Sequence, residues 1–299
     1  MGETLVDRVR LASRNEELRV TLRIMRSNPM TVFGLIISAG FIFASLVIGL
    51  SANRVLPYNP YALTPSLLHP PTFAHPLGTD DLGRDVLSRV LAAAPVDAFV
   101  AFSVVALAVA LGMFTGVVAG FAGGYVEEVI MRVTDIFLAF PGLVLALAIS
   151  AALGPGVIHS VYALAPVWWP TYTRLARGET LSLKSQQFIE AARAVGQKNR
   201  YILVKHVIPN ILPTLLVYAT IDLGNVIIVF SVLSFVGLGA QPPTPEWGLM
   251  VVQGEQYLNS AWWIPLAPAV AILIVAIGFS LLGDGIRDAL DPRIRGTFG

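Results

Sequence analysis

The chain has 299 residues, 55% of them hydrophobic and only 13% charged, with a formal net charge of +1 and no cysteine. Mean hydropathy is +0.71, and a chain so poor in charge lacks the polar residues to clothe a water-soluble globule. An ordinary soluble domain is excluded, and so are disulfides, thiolate metal sites and cysteine catalysis.

A bilayer core about 30 Å thick takes roughly 20 mainly apolar residues per helical span. Such runs place spans at 30–50, 98–122, 128–152, 157–176, 211–236 and 264–284, an all-α membrane protein with six transmembrane helices. Residues 1–29, an N-terminal tail, carry six arginines among acids and no short apolar core ending in small residues. A cleaved signal peptide is therefore not expected, and the first span should serve as the anchor. The outer segment 51–97 is rich in proline and holds His69, His75, Asp80, Asp81 and Asp85. Its acids do not follow the calcium-loop spacing D-x-[DN]-x-[DN]-G, so no metal is expected there. Thr79 or Asp80 is expected to cap an interfacial helix with an apolar face of Val86, Leu87, Val90, Leu91 and Ala94.

In the second span Ala108, Gly112, Gly116 and Gly120 recur every four positions and share one helix face. Small residues let helix backbones approach closely, which predicts a protein contact, internal or between subunits; ordinary glycine enrichment of membrane helices is the alternative. In the third span Arg132 and Asp135 are spaced for a local ion pair. The fourth contains Pro166, Trp168, Trp169, Pro170 and Arg174. It reads as a kinked helix sheltered by its neighbours, or as a re-entrant segment. In the fifth, Asp222 lies about 16 Å deep, with Asn225 on its face. A charge there must face protein or water, so a polar lining of a translocation path and a buried packing hydrogen bond both stand. The loop 239–263, with Pro242, Pro243, Pro245, Trp247, Trp262 and Trp263, reads as an outer cap whose tryptophans anchor at the headgroups.

Six spans leave both termini, the 123–127 turn and the 177–210 loop on one side. That side collects seventeen of the twenty Lys and Arg residues; only Arg54, Arg84 and Arg89 lie on the other. The richer side is expected to be cytoplasmic. Residues 286–299 would then be a cytoplasmic tail.

Between the fourth and fifth spans runs GETLSLKSQQFIEAARAVGQKNRYILVKHVIPN, Gly178 to Asn210. Phe188, Ala191, Ala192 and Val195 predict one amphipathic helix over about Ser185 to Val195. Gly196 interrupts it, and Tyr201, Val204 and Ile208 resume the stripe until Pro209 and Pro213. Two apolar stripes on a basic loop must be covered by span ends, lipid headgroups or a partner's groove. Glu190-Ala191-Ala192, then Gly196, then Val207-Ile208-Pro209-Asn210, resembles the EAA loop of permease subunits of binding-protein-dependent ABC importers. The stretches from His75 to Arg89 and from Arg132 to Pro141 resemble the second permease type of its dipeptide, oligopeptide and nickel branch.

That resemblance implies a type I importer permease fold whose core, residues 98–285, follows the anchor and outer segment. It implies a heterodimer with a homologous permease, two cytoplasmic ATPases that bind ATP and magnesium, and an extracytoplasmic solute-binding protein. Glu190, Ala191, Ala192, Gly196, Val207, Ile208 and Pro209 would couple the ATPases to the spans. The branch carries short peptides, nickel and oligosaccharides. The chain itself has no G-x-x-x-x-G-K-[ST], hence no nucleotide site of that kind, and is expected to be a transport subunit rather than an enzyme.

Two rival functions find partial support among the residues. Glu127-Glu128-Val129-Ile130-Met131-Arg132 fits the E-E-x-x-x-R pattern of intramembrane CAAX-type proteases, with His206 and Asn210 as an H-x-x-x-N, but no F-x-x-x-H exists to complete the site. An ion-gradient-driven secondary transporter would use mid-membrane acids, of which Asp222 is the sole instance. Neither accounts for the 178–210 loop.

Overall fold

The computed structural model describes residues 23–51 and 54–290. Most of the arginine-rich N-terminal tail, and Arg293 and Arg295, lie outside the described residues. Among the described residues the chain is helical, without strands beyond one isolated bridge. The elements are α1 Pro29–Leu50, α2 Val86–Ala122, α3 Gly124–Leu138, α4 Gly142–Leu153, α5 Val157–Lys184, α6 Gln187–Ala194, α7 Asn199–Phe235, α8 Trp247–Gly254 and α9 Trp263–Leu290.

Four helices, α1, α2, α7 and α9, are each long and apolar enough to cross a membrane. The third expected span is instead the bent pair α3 and α4, which meet at 87° and count as a fifth crossing only if taken together. Pro141 causes the break: it lacks an amide hydrogen, and it disfavours helical backbone at Phe140. α5 runs unbroken through Pro166 and Pro170 for 28 residues, about 42 Å and long enough to cross. Arg174, Arg177, Glu179 and Lys184 in its second half keep its hydropathy low.

The expected interfacial helix is not separate. Asp85, rather than Thr79 or Asp80, accepts from the Ser88 amide at 2.8 Å and starts one 37-residue helix that continues through Pro95. Val86, Val90 and Ala94 are buried in the protein core, not laid on a lipid surface.

Small residues bring the helices together. The Ala108–Gly120 face of α2 packs against α5, the most extensive helix contact in the fold. A methyl group added at Gly112 would strike Tyr172 Cβ and come within 2.7 Å of the Trp169 carbonyl; at Gly120 it would lie 2.9 Å from the Arg177 carbonyl. The stripe is thus an internal seam. α1 and α9 approach as closely through Gly34, Gly278 and Gly285. Because Thr31 meets Gly285 while Gly49 meets Pro95, the start of α1, the end of α2 and the end of α9 share one end of the bundle.

At the opposite end, Trp247 and Trp263 are core residues rather than headgroup anchors. Trp247 Nε1 donates to the Val90 carbonyl at 2.9 Å and Trp263 Nε1 to the Thr79 carbonyl at 3.1 Å. Each indole N–H thereby finds an acceptor in the core. Trp262 alone of the three stays exposed.

Candidate functional site

The 178–210 loop folds as helix, turn, helix. α6 ends in a paired-bond cap: the Gln197 amide donates to the Ala192 carbonyl at 3.1 Å and the Gly196 amide to Arg193 at 2.9 Å. Gly196 has φ +76°, a left-handed position where any other L-residue is strained. The chain then re-enters a helix at Asn199, passes a π turn at Leu203–Val207 and continues to Phe235.

Only one side of this loop is anchored. Ile189 and Ala192 of α6 are buried with Ile202, Val207 and Ile211 of α7 and Val117 of α2. Lys184 Nζ donates to the Phe121 carbonyl at 2.8 Å, and the Arg193 guanidinium lies 5.4 Å from the Phe121 ring. Phe188, Ala191 and Val195, expected with Ala192 on one stripe, point outward, as do Glu190 and Gly196. In the second half the buried positions are Ile202 and Val207, whereas Tyr201 and Val204 are exposed and Ile208 is half-buried. The π turn shifts the helical register here, which spacing alone does not reveal. His206 stands between the Phe188 and Tyr201 rings at 6.2 and 6.0 Å. The outcome is an exposed apolar and aromatic patch on a loop locked from beneath.

A second polar site lies midway along the helices. Tyr172 Oη donates to Asp222 Oδ2 at 2.7 Å, and Asn225 Nδ2 donates to Asp222 Oδ1 at 3.3 Å. Tyr172 is fully buried; Asp222 is half-buried and Asn225 exposed. The Tyr172 partner was not legible in sequence, because it comes from α5, fifty positions away, and reaches α7 only where Gly112 lets α5 approach. Nearby Thr115 and Thr173 share a hydrogen bond of 2.8 Å across the same seam.

The remaining acids are occupied differently from expectation. Asp135 pairs with Arg174 of α5 at 2.7 Å, not with Arg132, which reaches Glu128 at 3.7 Å. Glu127 pairs with Arg177, so the two protease-like glutamates are engaged by separate arginines and His206 shares neither.

In the 51–97 segment Asp80 accepts from Arg84 Nε at 2.7 Å and lies 3.6 Å from Arg89 Nε, while His75 Nδ1 and Asp85 Oδ1 are 2.8 Å apart. Among the described residues no group of three or more His, Cys, Asp or Glu is placed to hold a metal. Glu246 caps α8 by accepting from Gly248 and Leu249 at 2.8 and 2.7 Å, and Asp97 of α2 lies against it. Burial holds the Glu246 carboxyl above the ordinary carboxylate range.

Residues 108–296 match the family of binding-protein-dependent transport system inner membrane components. The chain is 40% identical over 274 residues to the probable D,D-dipeptide transport system permease protein DdpC of Escherichia coli K12, covering 91% of this chain and 90% of that one. It is also 40% identical to the dipeptide transport system permease protein DppC of Alkalihalophilus pseudofirmus, covering 93% of this chain and 90% of the relative. The glutathione transport system permease protein GsiD of E. coli O157:H7 is 40% identical over 87% of this chain and 86% of its own. Among solved structures, an inward-facing MetNI methionine ABC transporter aligns with a TM-score of 0.50 at 19% identity, over 65% of this chain and 94% of that one. That likeness is one of fold.

Proposed function

The chain belongs to the family of binding-protein-dependent transport system inner membrane components, as an ABC importer permease, and on that premise we propose that it forms one wall of an ATP-driven path for short peptides. The other wall is a homologous permease. Two cytoplasmic ATPases bind ATP and magnesium, and a solute-binding protein delivers cargo from outside. The peptide assignment draws on relatives named for dipeptide, D,D-dipeptide and glutathione transport.

The observation that carries the reading is the one-sided loop at 187–210. Its inner face, Ile189, Ala192, Ile202 and Val207, is packed onto the ends of α2 and α5, so the loop moves with those helices. Its outer face, Phe188, Ala191 and Val195 with Tyr201 and Val204, is apolar and uncovered. A patch of that kind rimmed by charge suits a protein groove, here that of the ATPase. Glu190 supplies a charge at the rim, and Gly196, Val207, Ile208 and Pro209 set the angle between the two halves. Closure of the nucleotide-loaded ATPases would then favour one arrangement of the spans through differential contacts with this loop.

Six crossings are the reading we adopt, with α3 and α4 as a broken third and α5 as a fourth sheltered by α2. The shared end of α1, α2 and α9 supports placing both termini and the loop on the cytoplasmic side, as the Lys and Arg asymmetry requires. Asp222 and Asn225 are proposed to line the path.

Co-expression with the partner permease and ATPases tests the assignment. Cysteines introduced at Ala191 and around the ATPase cleft should crosslink, and Glu190→Ala should lower uptake per ATP hydrolysed. If positions 188–195 never crosslink to an ATPase in an assembled complex, the docking claim is lost.

A further inference from the structure

The Asp222 site has chemistry beyond that of a polar lining for the path. Asp222 sits midway along the Ile208–Phe235 stretch, about 20 Å from either end. None of the described ion pairs involves it. Its two oxygens take one donor each, from Tyr172 and Asn225. An ionised carboxylate has about four acceptor sites, so roughly half of its capacity remains open on the Asn225 side, which faces out of the bundle.

A charged group at that depth is costly unless it faces water or a counter-charge. The surrounding construction holds it there. Gly112 admits Tyr172 to full burial, and the Tyr172 hydroxyl fixes the carboxylate from behind. What is presented outward is an oriented carboxyl edge, partly exposed, with no cation beside it among the described residues. An ammonium group carries three N–H donors and no acceptor, and so complements it. Every unblocked peptide bears one, since the α-amino group is largely protonated near neutral pH. A single half-exposed carboxylate would also hold such a group weakly enough to release it, as passage demands.

We propose that Asp222, aligned by Tyr172 and Asn225, is a station in the translocation path that recognises the ammonium group of the passing cargo. This rests on the permease reading above. Tyr172 is a positioning residue; Asp222 makes the contact.

The test uses the complete complex, both permeases with both ATPases, in proteoliposomes, with binding protein present. Dialanine, N-acetyl-dialanine and N-acetyl-alanyl-lysine are each supplied at concentrations that saturate the binding protein, verified by titration of that protein alone. The readout is the ratio of ATP-dependent uptake rates, which cancels differences in the amount of active complex. In the unaltered complex dialanine should enter about tenfold faster than its acetylated form, the size of one close charge pair. Asp222→Asn, close in shape, should bring the ratio to about one, and Tyr172→Phe should give an intermediate value of about threefold. Faster entry of N-acetyl-alanyl-lysine than of N-acetyl-dialanine, lost in Asp222→Asn, would show that any ammonium is read; equal entry would confine recognition to the α-amine. A ratio near one in the unaltered complex, or a ratio unmoved by Asp222→Asn, overturns the proposal. Equal loss of all cargoes with weakened assembly also overturns it, by making Asp222 a partner of a cation on the second permease. A complex that assembles yet takes up no cargo with ATP refutes instead the importer reading.

Discussion

The two ends of the bundle treat charge and apolar surface in opposite ways. At the end that gathers the 51–97 segment and the 239–263 loop, Asp80, Arg84, Asp85, Arg89, Asp97 and Glu246 are all buried, and most of their polar atoms find partners within the chain. The loop at 187–210 buries few charges and leaves Phe188, Val195, Tyr201 and Val204 exposed. One region is closed upon itself and the other is complete on one side only. The difference teaches where a partner is required: a surface already satisfied internally gains little from binding, whereas an apolar face on a braced support gains area without further ordering cost.

The largest expected effect breaks the closed region. Asp80→Ala would leave Arg89 buried without its carboxylate and Arg84 with only Asp81, 4.0 Å away, and should destabilise the chain by about 3–5 kcal/mol. Thermal unfolding of the purified complex measures this. Loss of less than about 1 kcal/mol would show that water reaches the arginines. Next comes the seam that supports both regions. Gly112→Leu must push α5 away from α2 at Tyr172 and should cost about 1–3 kcal/mol by overpacking, visible as a lower unfolding temperature.

Smaller effects sharpen the open region. Gly196→Ala has room for its methyl group but must hold φ near +76°, a strain of about 1–2 kcal/mol. It should appear as faster proteolysis of the 187–210 loop, with Gly196→Asn milder because asparagine tolerates left-handed backbone. Phe188→Ala should alter stability by no more than about 0.5 kcal/mol, as an exposed change does. If the exposed patch is a docking face, it should nevertheless weaken ATPase association severalfold in a pull-down titration.

Glu246 supplies the smallest and a pH-dependent effect. Its folded-state carboxyl is raised by burial, so its contribution is fully present below the unfolded value and is lost as pH rises through the folded one. Glu246→Gln should flatten that decline in an unfolding series across pH. A decline of the same slope in the variant would assign it to another group.

Much of the helical layout follows from the order of apolar runs, because in lipid every backbone group must be satisfied within its own helix. One break was legible too, where a single residue's backbone chemistry dictates it: Gly196 ends α6 by its left-handed cap. The third apolar run, expected as one span, instead bends by 87° at Pro141. Periodicity also marked the Gly112–Gly116–Gly120 face as one that touches protein.

What it touches was decided elsewhere. Sequence spacing cannot say that α5 fills that face, that Tyr172 thereby reaches Asp222, or that Asp135 prefers Arg174 to its near neighbour Arg132. Nor can it separate Ala192, facing in, from Ala191, facing out, when both lie on one apolar stripe. Composition and local backbone chemistry by themselves determined that this is a helical membrane chain with a glycine-broken loop. Tertiary packing alone decided which acids are neutralised, which tryptophans are core and which face of the loop stays open, because those outcomes depend on groups distant in sequence meeting at a few ångströms.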